Sequence, residues 1–107
     1  MSTVSTHVLD TSYGRPAEGI KVTLERGAEI LATGLTNADG RVPSFPEAGV
    51  LSEGAHRLRF LVAEYFARDG RETFYSEITI NFRIGTDEHY HVPLLLSPFG
   101  YSTYRGS

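Results

Sequence analysis

The sequence predicts an all-β protein, a two-sheet sandwich of seven to eight short strands with one short helix. Three observations carry that expectation. Apolar and polar residues alternate with a period of two through most of the chain, turn-forming clusters of Gly, Pro, Asn and Asp fall between the alternating runs, and a single stretch reads as helical. Many short strands within about a hundred residues suit two packed layers.

Ser5–Asp10 alternates weakly and is followed by a turn cluster at Tyr13–Pro16. Ile20–Arg26 alternates cleanly, with Ile20, Val22 and Leu24 on one face and Lys21, Thr23 and Glu25 on the other, the pattern of a half-buried strand. Ile30–Thr36 comes next and runs into the turn Asn37–Gly40; a second turn at Glu53 and Gly54 precedes the strand His56–Val62. Ala63–Asp69 is the predicted helix: it lacks Gly and Pro, is poor in β-branched residues, and meets Gly70 where helices commonly end. Glu77–Ile84 repeats the strong alternation, with Ile78, Ile80, Phe82 and Ile84 inward. After a turn at Gly85–Asp87 the strand His89–Leu96 follows, then Ser97 and Pro98, then a last strand at Tyr101–Arg105.

A chain of 107 residues suits one domain spanning positions 1–107. Its hydrophobic content of 40%, charged content of 21% and formal net charge of -3 are ordinary for a soluble protein and leave no basic footprint for nucleic acid. There is no cysteine, which excludes disulfides, thiolate nucleophiles and Cys-ligated zinc. Neither a leader-like N-terminus nor an apolar run of about 20 residues is present, so no membrane partner and a cytoplasmic location are expected.

Residues able to carry chemistry concentrate at the two ends. The tail keeps aromatic and ionisable side chains to its last residues, Tyr104, Arg105, Gly106 and Ser107, where a solvated terminus would lack them. Of the four histidines, His89 and His91 stand two apart on one strand face, and His7 shares its face with Ser5 and Leu9. His56, opening a strand without polar company, reads as structural. A zinc site from His7, His89 and His91 is one alternative, although no HExxH spacing or carboxylate ligand accompanies them. No Gly-x-Ser-x-Gly elbow exists for a serine nucleophile. Arg41 follows the Asn37–Gly40 turn, a placement suited either to a solvated charge or to a guanidinium presented at a planar oxyanion or amide edge.

The run Ser5–Thr11 with Gly14–Ala17, the turn Asp39, Gly40, Arg41, and the ending His91–Ser107 resemble the transthyretin-related 5-hydroxyisourate hydrolase family from end to end. The most specific part is the terminal Tyr104, Arg105, Gly106, Ser107, which separates these enzymes from true transthyretins. The resemblance implies a transthyretin-like sandwich, a homotetramer built as a dimer of dimers with sites where the dimers meet, and no cofactor. It implies His7, Arg41 and His91 as catalytic residues, with Tyr104, Arg105, Gly106 and Ser107 closing the site on the substrate. His89 is assigned no chemical role. Val42 stands where the resemblance leads one to expect threonine, which puts a hydrogen bond beside Arg41 in question.

The implied reaction is hydrolytic opening of 5-hydroxyisourate at its N1–C6 amide, giving 2-oxo-4-hydroxy-4-carboxy-5-ureidoimidazoline. A histidine near its reference pKa of about 6.5 suits proton transfer at neutral pH, and an arginine suits negative charge on the attacked carbonyl oxygen. His7 is the favoured base, though spacing alone leaves the division of labour between His7 and His91 open. The alternative is a transthyretin-like small-molecule carrier without catalysis, which is expected to lack the His7, His91 and Tyr104–Ser107 set.

Overall fold

The computed structural model describes residues 1–107 as nine strands, one α-helix and one 3-10 turn. The strands are β1 (Thr3–Asp10), β2 (Arg15–Pro16), β3 (Lys21–Arg26), β4 (Glu29–Leu35), β5 (Arg41–Val42), β6 (Gly54–Leu61), β7 (Ile78–Ile84), β8 (His89–Ser97) and β9 (Gly100–Thr103); α1 spans Ala63–Ala67 and the 3-10 turn Pro46–Ala48. One sheet has the order β2-β1-β8-β9, with β5 also pairing β1; the other has the order β4-β3-β6-β7. No helix is long and apolar enough to cross a membrane.

All pairings are antiparallel except that of β1 with β8, which runs parallel from Thr3 beside His89 to Asp10 beside Leu96. Strand alternation then divides both strands by parity. Val4, Val8, Tyr90, Val92, Leu94 and Leu96 enter the core, where they meet Val22 and Leu24 of β3, Leu58 and Phe60 of β6, and Ile78, Ile80 and Ile84 of β7. Thr6 and Thr11 pin the parallel pair, their hydroxyls donating to the carbonyls of Val92 at 2.6 Å and Leu96 at 3.1 Å.

All seven predicted strands and the helix are present, with differences that have local causes. Thr23 and Glu25 are buried rather than solvated, because β3 is an interior strand and Arg57 and Arg59 of β6 lie across them. The Glu25 carboxylate accepts from Thr23 Oγ1 at 2.6 Å, from Arg57 Nη2 at 2.7 Å and from Arg59 Nη2 at 3.2 Å. Burial would raise its pKa, but these partners outweigh that cost and hold it below the usual carboxylate range. The helix stops at Ala67, two residues short of the prediction, and Gly70 closes the following turn at a φ of 71°. The last strand stops at Thr103, because the tail turns back over β8: the Gly106 amide donates to the His91 carbonyl at 2.9 Å.

The end of β1 is held by a buried carboxylate. Asp10 accepts from the Ser12 hydroxyl at 2.6 Å, the Tyr65 hydroxyl at 2.7 Å and Arg71 Nη2 at 2.9 Å. Arg71 in turn binds Asp69 at 3.0 Å and lies 3.9 Å from the centre of the Tyr13 ring. Burial works against the charge on Asp10, but hydrogen bonds from Arg71, Ser12 and Tyr65 prevail and lower its pKa to about 2. The cluster ties β1 to α1 and to the segment after it.

Candidate functional site

The register of β1 and β8 builds the site. With even-numbered residues committed to the core, the outer face receives Thr3, Ser5 and His7 from β1, set directly beside His89, His91 and Pro93 of β8. His7 and His91, 84 positions apart in the chain, thereby come to lie on adjacent strands of one solvent-facing surface.

Arg41 joins them from the other side of β1, where it pairs with His7 across the short β1–β5 ladder. The turn before it is fixed by Asn37, whose side-chain oxygen accepts from the amides of Asp39 at 2.9 Å and Arg41 at 3.0 Å. Gly40 has a φ of 74°, and a Cβ there would lie 2.4 Å from the Val8 carbonyl oxygen. That glycine therefore does more than permit a turn: it lets the loop press against β1 next to His7. Val42 faces the opposite way, into the core, so its lack of a hydroxyl leaves the surroundings of the Arg41 guanidinium unaltered.

The tail supplies the remaining wall. Gly106 pairs with His91 as an isolated bridge, and a Cβ on it would lie 2.4 Å from His91 Cδ2. Tyr104, Gly106 and Ser107 border the same concavity of about 400 Å³ as His7, Arg41 and His91. Arg105 does not. Its guanidinium binds Glu88 and lies 4.7 Å from the centre of the Tyr90 ring. It lines an adjoining groove with Ile80, Phe82 and Tyr90, and His91 and Tyr104 border both that groove and the histidine concavity.

Ser5 of the concavity and Thr3, which pairs with His89, were not singled out from sequence. Ser5 Oγ stands 2.7 Å from His91 Nδ1 and 2.8 Å from His89 Nε2, bridging the two histidines, and Thr3 Oγ1 stands 2.6 Å from His89 Nδ1. The position of Ser5 two residues before His7 was a local sign of a shared face, but its contact with β8 depends on a pairing between distant segments. These hydroxyls also bear on the zinc alternative: both ring nitrogens of His89 are engaged, and no group of three His, Cys, Asp or Glu side chains is arranged to hold an ion. His56 lies in the other sheet, buried, with Nδ1 2.9 Å from the Gly54 carbonyl and its ring against Phe82.

Electrostatics favour neutral imidazoles. Desolvation first and the positive charge of Arg41 second lower the pKa of His7 below its ordinary 6.5. The same two causes, with smaller repulsion from His7 and His89, lower that of His91. At neutral pH the site thus presents two uncharged histidines beside a fixed cation, a combination able to accept a proton from water while binding a developing oxyanion.

A two-sheet sandwich with a histidine and arginine site on the outer face of one sheet, completed by a turn and a tail, defines the class of protein. The chain belongs to the HIUase/Transthyretin family, whose pattern matches residues 4–106. The 5-hydroxyisourate hydrolase of Halalkalibacterium halodurans is 46% identical over 97% of this chain and 97% of its own length. The structure of Klebsiella pneumoniae 5-hydroxyisourate hydrolase superposes with a TM-score of 0.92 at 50% identity, covering 100% of both chains. Sea bream transthyretin in complex with thyroxine superposes with a TM-score of 0.84 at 26% identity, over 96% of this chain and 93% of that one.

Proposed function

We propose that this chain hydrolyses 5-hydroxyisourate at the N1–C6 amide, with His7, Arg41 and His91 as its catalytic residues. The observation that carries the proposal is their convergence, from β1, β5 and β8, on one polar concavity that the tail also borders. Relatives bearing the name 5-hydroxyisourate hydrolase match nearly the whole chain, which supports the choice of substrate.

Arg41 holds the ring and directs its donors at the C6 carbonyl oxygen, stabilising the negative charge that develops there. His7 takes a proton from water as the water oxygen adds to C6. The N1–C6 bond then breaks, and N1 receives a proton from His91. Tyr104, Arg105, Gly106 and Ser107 close the site on the substrate, with the Arg105 guanidinium held by Glu88 in this chain.

The concavity is open along a sheet face, and such chemistry gains from excluding water. Phe99, Tyr101 and Tyr104 stand exposed on the β9 and tail side, an apolar surface suited to association. We therefore assign the active form as a homotetramer, a dimer of dimers in which a second chain covers the site. The test of function is ultraviolet monitoring of freshly prepared 5-hydroxyisourate. Acceleration beyond its spontaneous decay is expected; decay at the uncatalysed rate at every protein concentration would refute the proposal.

A further inference from the structure

We propose that Thr3, His89 and Ser5 form a proton-delivery wire that recharges His91 from solvent during turnover. The inference rests on the reaction assigned above and deepens it, giving positioning and relay roles to residues outside the catalytic set.

The need for such a wire follows from the state of His91. A neutral imidazole is a very weak acid: losing its only N–H proton would leave an imidazolate beside the leaving group. It donates readily from Nε2 only when Nδ1 gains a proton in the same step. His91 Nδ1 faces Ser5 Oγ at 2.7 Å, and Ser5 Oγ faces His89 Nε2 at 2.8 Å. His89 Nδ1 faces Thr3 Oγ1 at 2.6 Å, and both Thr3 and His89 are exposed. All three separations lie within strong hydrogen-bond range, and every group in the line carries both a donor and an acceptor in one of its tautomers or rotamers.

The passage balances. N1 takes the Nε2 proton of His91, Ser5 gives its hydroxyl proton to His91 Nδ1, His89 gives its Nε2 proton to Ser5, Thr3 gives its proton to His89 Nδ1, and water replenishes Thr3. One proton enters from solvent at Thr3, matching the one that His7 later returns to it. Between turnovers water protonates His91 Nε2 and the line runs back, restoring the first tautomers. The charged neighbours are accounted for: Arg41 disfavours a cation on His91, which makes relay preferable to storing a proton there, and Glu88, next to His89, is turned to Thr86 and Arg105.

The test compares Ser5→Ala and His89→Gln with the unmodified protein, each checked for intact secondary structure by circular dichroism. Glutamine leaves Ser5 a hydrogen-bonding neighbour but cannot change tautomer to pass a proton. A loss of kcat of about tenfold or more is expected in both variants with KM little changed, the scale of positioned proton transfer. Imidazole added to the assay should restore part of the rate in His89→Gln. Undiminished kcat in His89→Gln, or a loss that added imidazole leaves untouched, would overturn the wire. Nitrogen-15 spectra of the ring nitrogens separate this outcome from failure of the reaction assignment. Should the unmodified protein leave 5-hydroxyisourate unaccelerated, that assignment falls, while a changed His91 tautomer balance in Ser5→Ala still supports the hydrogen-bonded line and an unchanged one overturns it.

Discussion

Gly106→Ala adds one methyl group to the tail, and the geometry sets its cost. The new Cβ would stand 2.4 Å from His91 Cδ2, 3.1 Å from its Cγ and 3.3 Å from Pro93 Cγ. Carbon atoms rest at about 3.5–4.0 Å, so the imidazole or the tail must retreat by about 1 Å. Pro93 stands behind the ring on the same strand face, and Ser5 holds Nδ1 from the other side, which leaves the ring little room. Because Cδ2 is bonded to Nε2, the displaced atom is the neighbour of the one assigned to the proton transfer. A misplacement of about 1 Å is associated with losses of about 100-fold, or about 2.7 kcal/mol of barrier. The φ of Gly106 is not in the left-handed region, so alanine is not opposed by backbone strain. The variant should therefore unfold at the temperature of the parent while losing about two orders of magnitude in kcat/KM, measured by the decay of 5-hydroxyisourate absorbance. Activity within about threefold of the parent would refute the packing of the tail against His91 as a determinant of rate.

Four further outcomes are expected. Arg41→Lys keeps the charge but loses the planar fork, and should cost at least about tenfold in kcat/KM, about 1.4 kcal/mol; unchanged kinetics would return Arg41 to a solvated charge. His7→Asn and His91→Asn should each cost about 10²–10⁴ in rate, and the double variant far less than the product of the two; strict multiplicativity would show that they act independently. Because both histidines are held below 6.5, the neutral forms persist as pH falls through that value, so the acid limb of the rate profile should lie beneath 6.5; a midpoint above it would contradict their burial beside Arg41. Asp10→Asn should destabilise the fold: the depression of its pKa from 3.8 to about 2 corresponds to roughly 2 kcal/mol, present above pH 3.8 and lost as pH falls toward 2. Denaturant titrations should find that loss at neutral pH and a flatter stability profile between those limits, and an unchanged midpoint would remove Asp10 from the accounting.

What could be read from the residues was whatever depends on near neighbours in the chain. Alternation in Ile20–Arg26 and Glu77–Ile84 reports a face locally, and the predicted inward sets are the ones found in or against the core. The pairing of β1 with β8 joins the two ends of the chain and leaves no trace in spacing, which is why the sequence assigns no role to Ser5 or His89, and points to His7 and His91 as a pair only through resemblance. The same limitation hid the burial of Glu25, covered by arginines more than 30 positions away. Val42 beside Arg41 is explained once the period of two is applied to β5, since Val42 is buried where Arg41 is exposed.

Core and site share one constraint in the parallel register of β1 and β8. Even positions on both strands carry the apolar residues that drive burial, and odd positions carry Ser5, His7, His89 and His91. A slip of one residue in β1 would place Val4 and Val8 in water and push Ser5 and His7 into the sandwich, an exchange that a strand with one buried face strongly resists. Thr6 and Thr11 hold the pair along its length, and Asp10 with Arg71 fixes its end. The free energy of packing the core therefore sets the distance from Ser5 to both histidines, and places His7 opposite Arg41, before any ligand arrives. The site is preorganised by the same interactions that stabilise the fold. A mutation deep in the core at Val8 or Leu94, far from the concavity, should for that reason loosen the site in proportion to how far it frees the register, and leave it unchanged where the register holds.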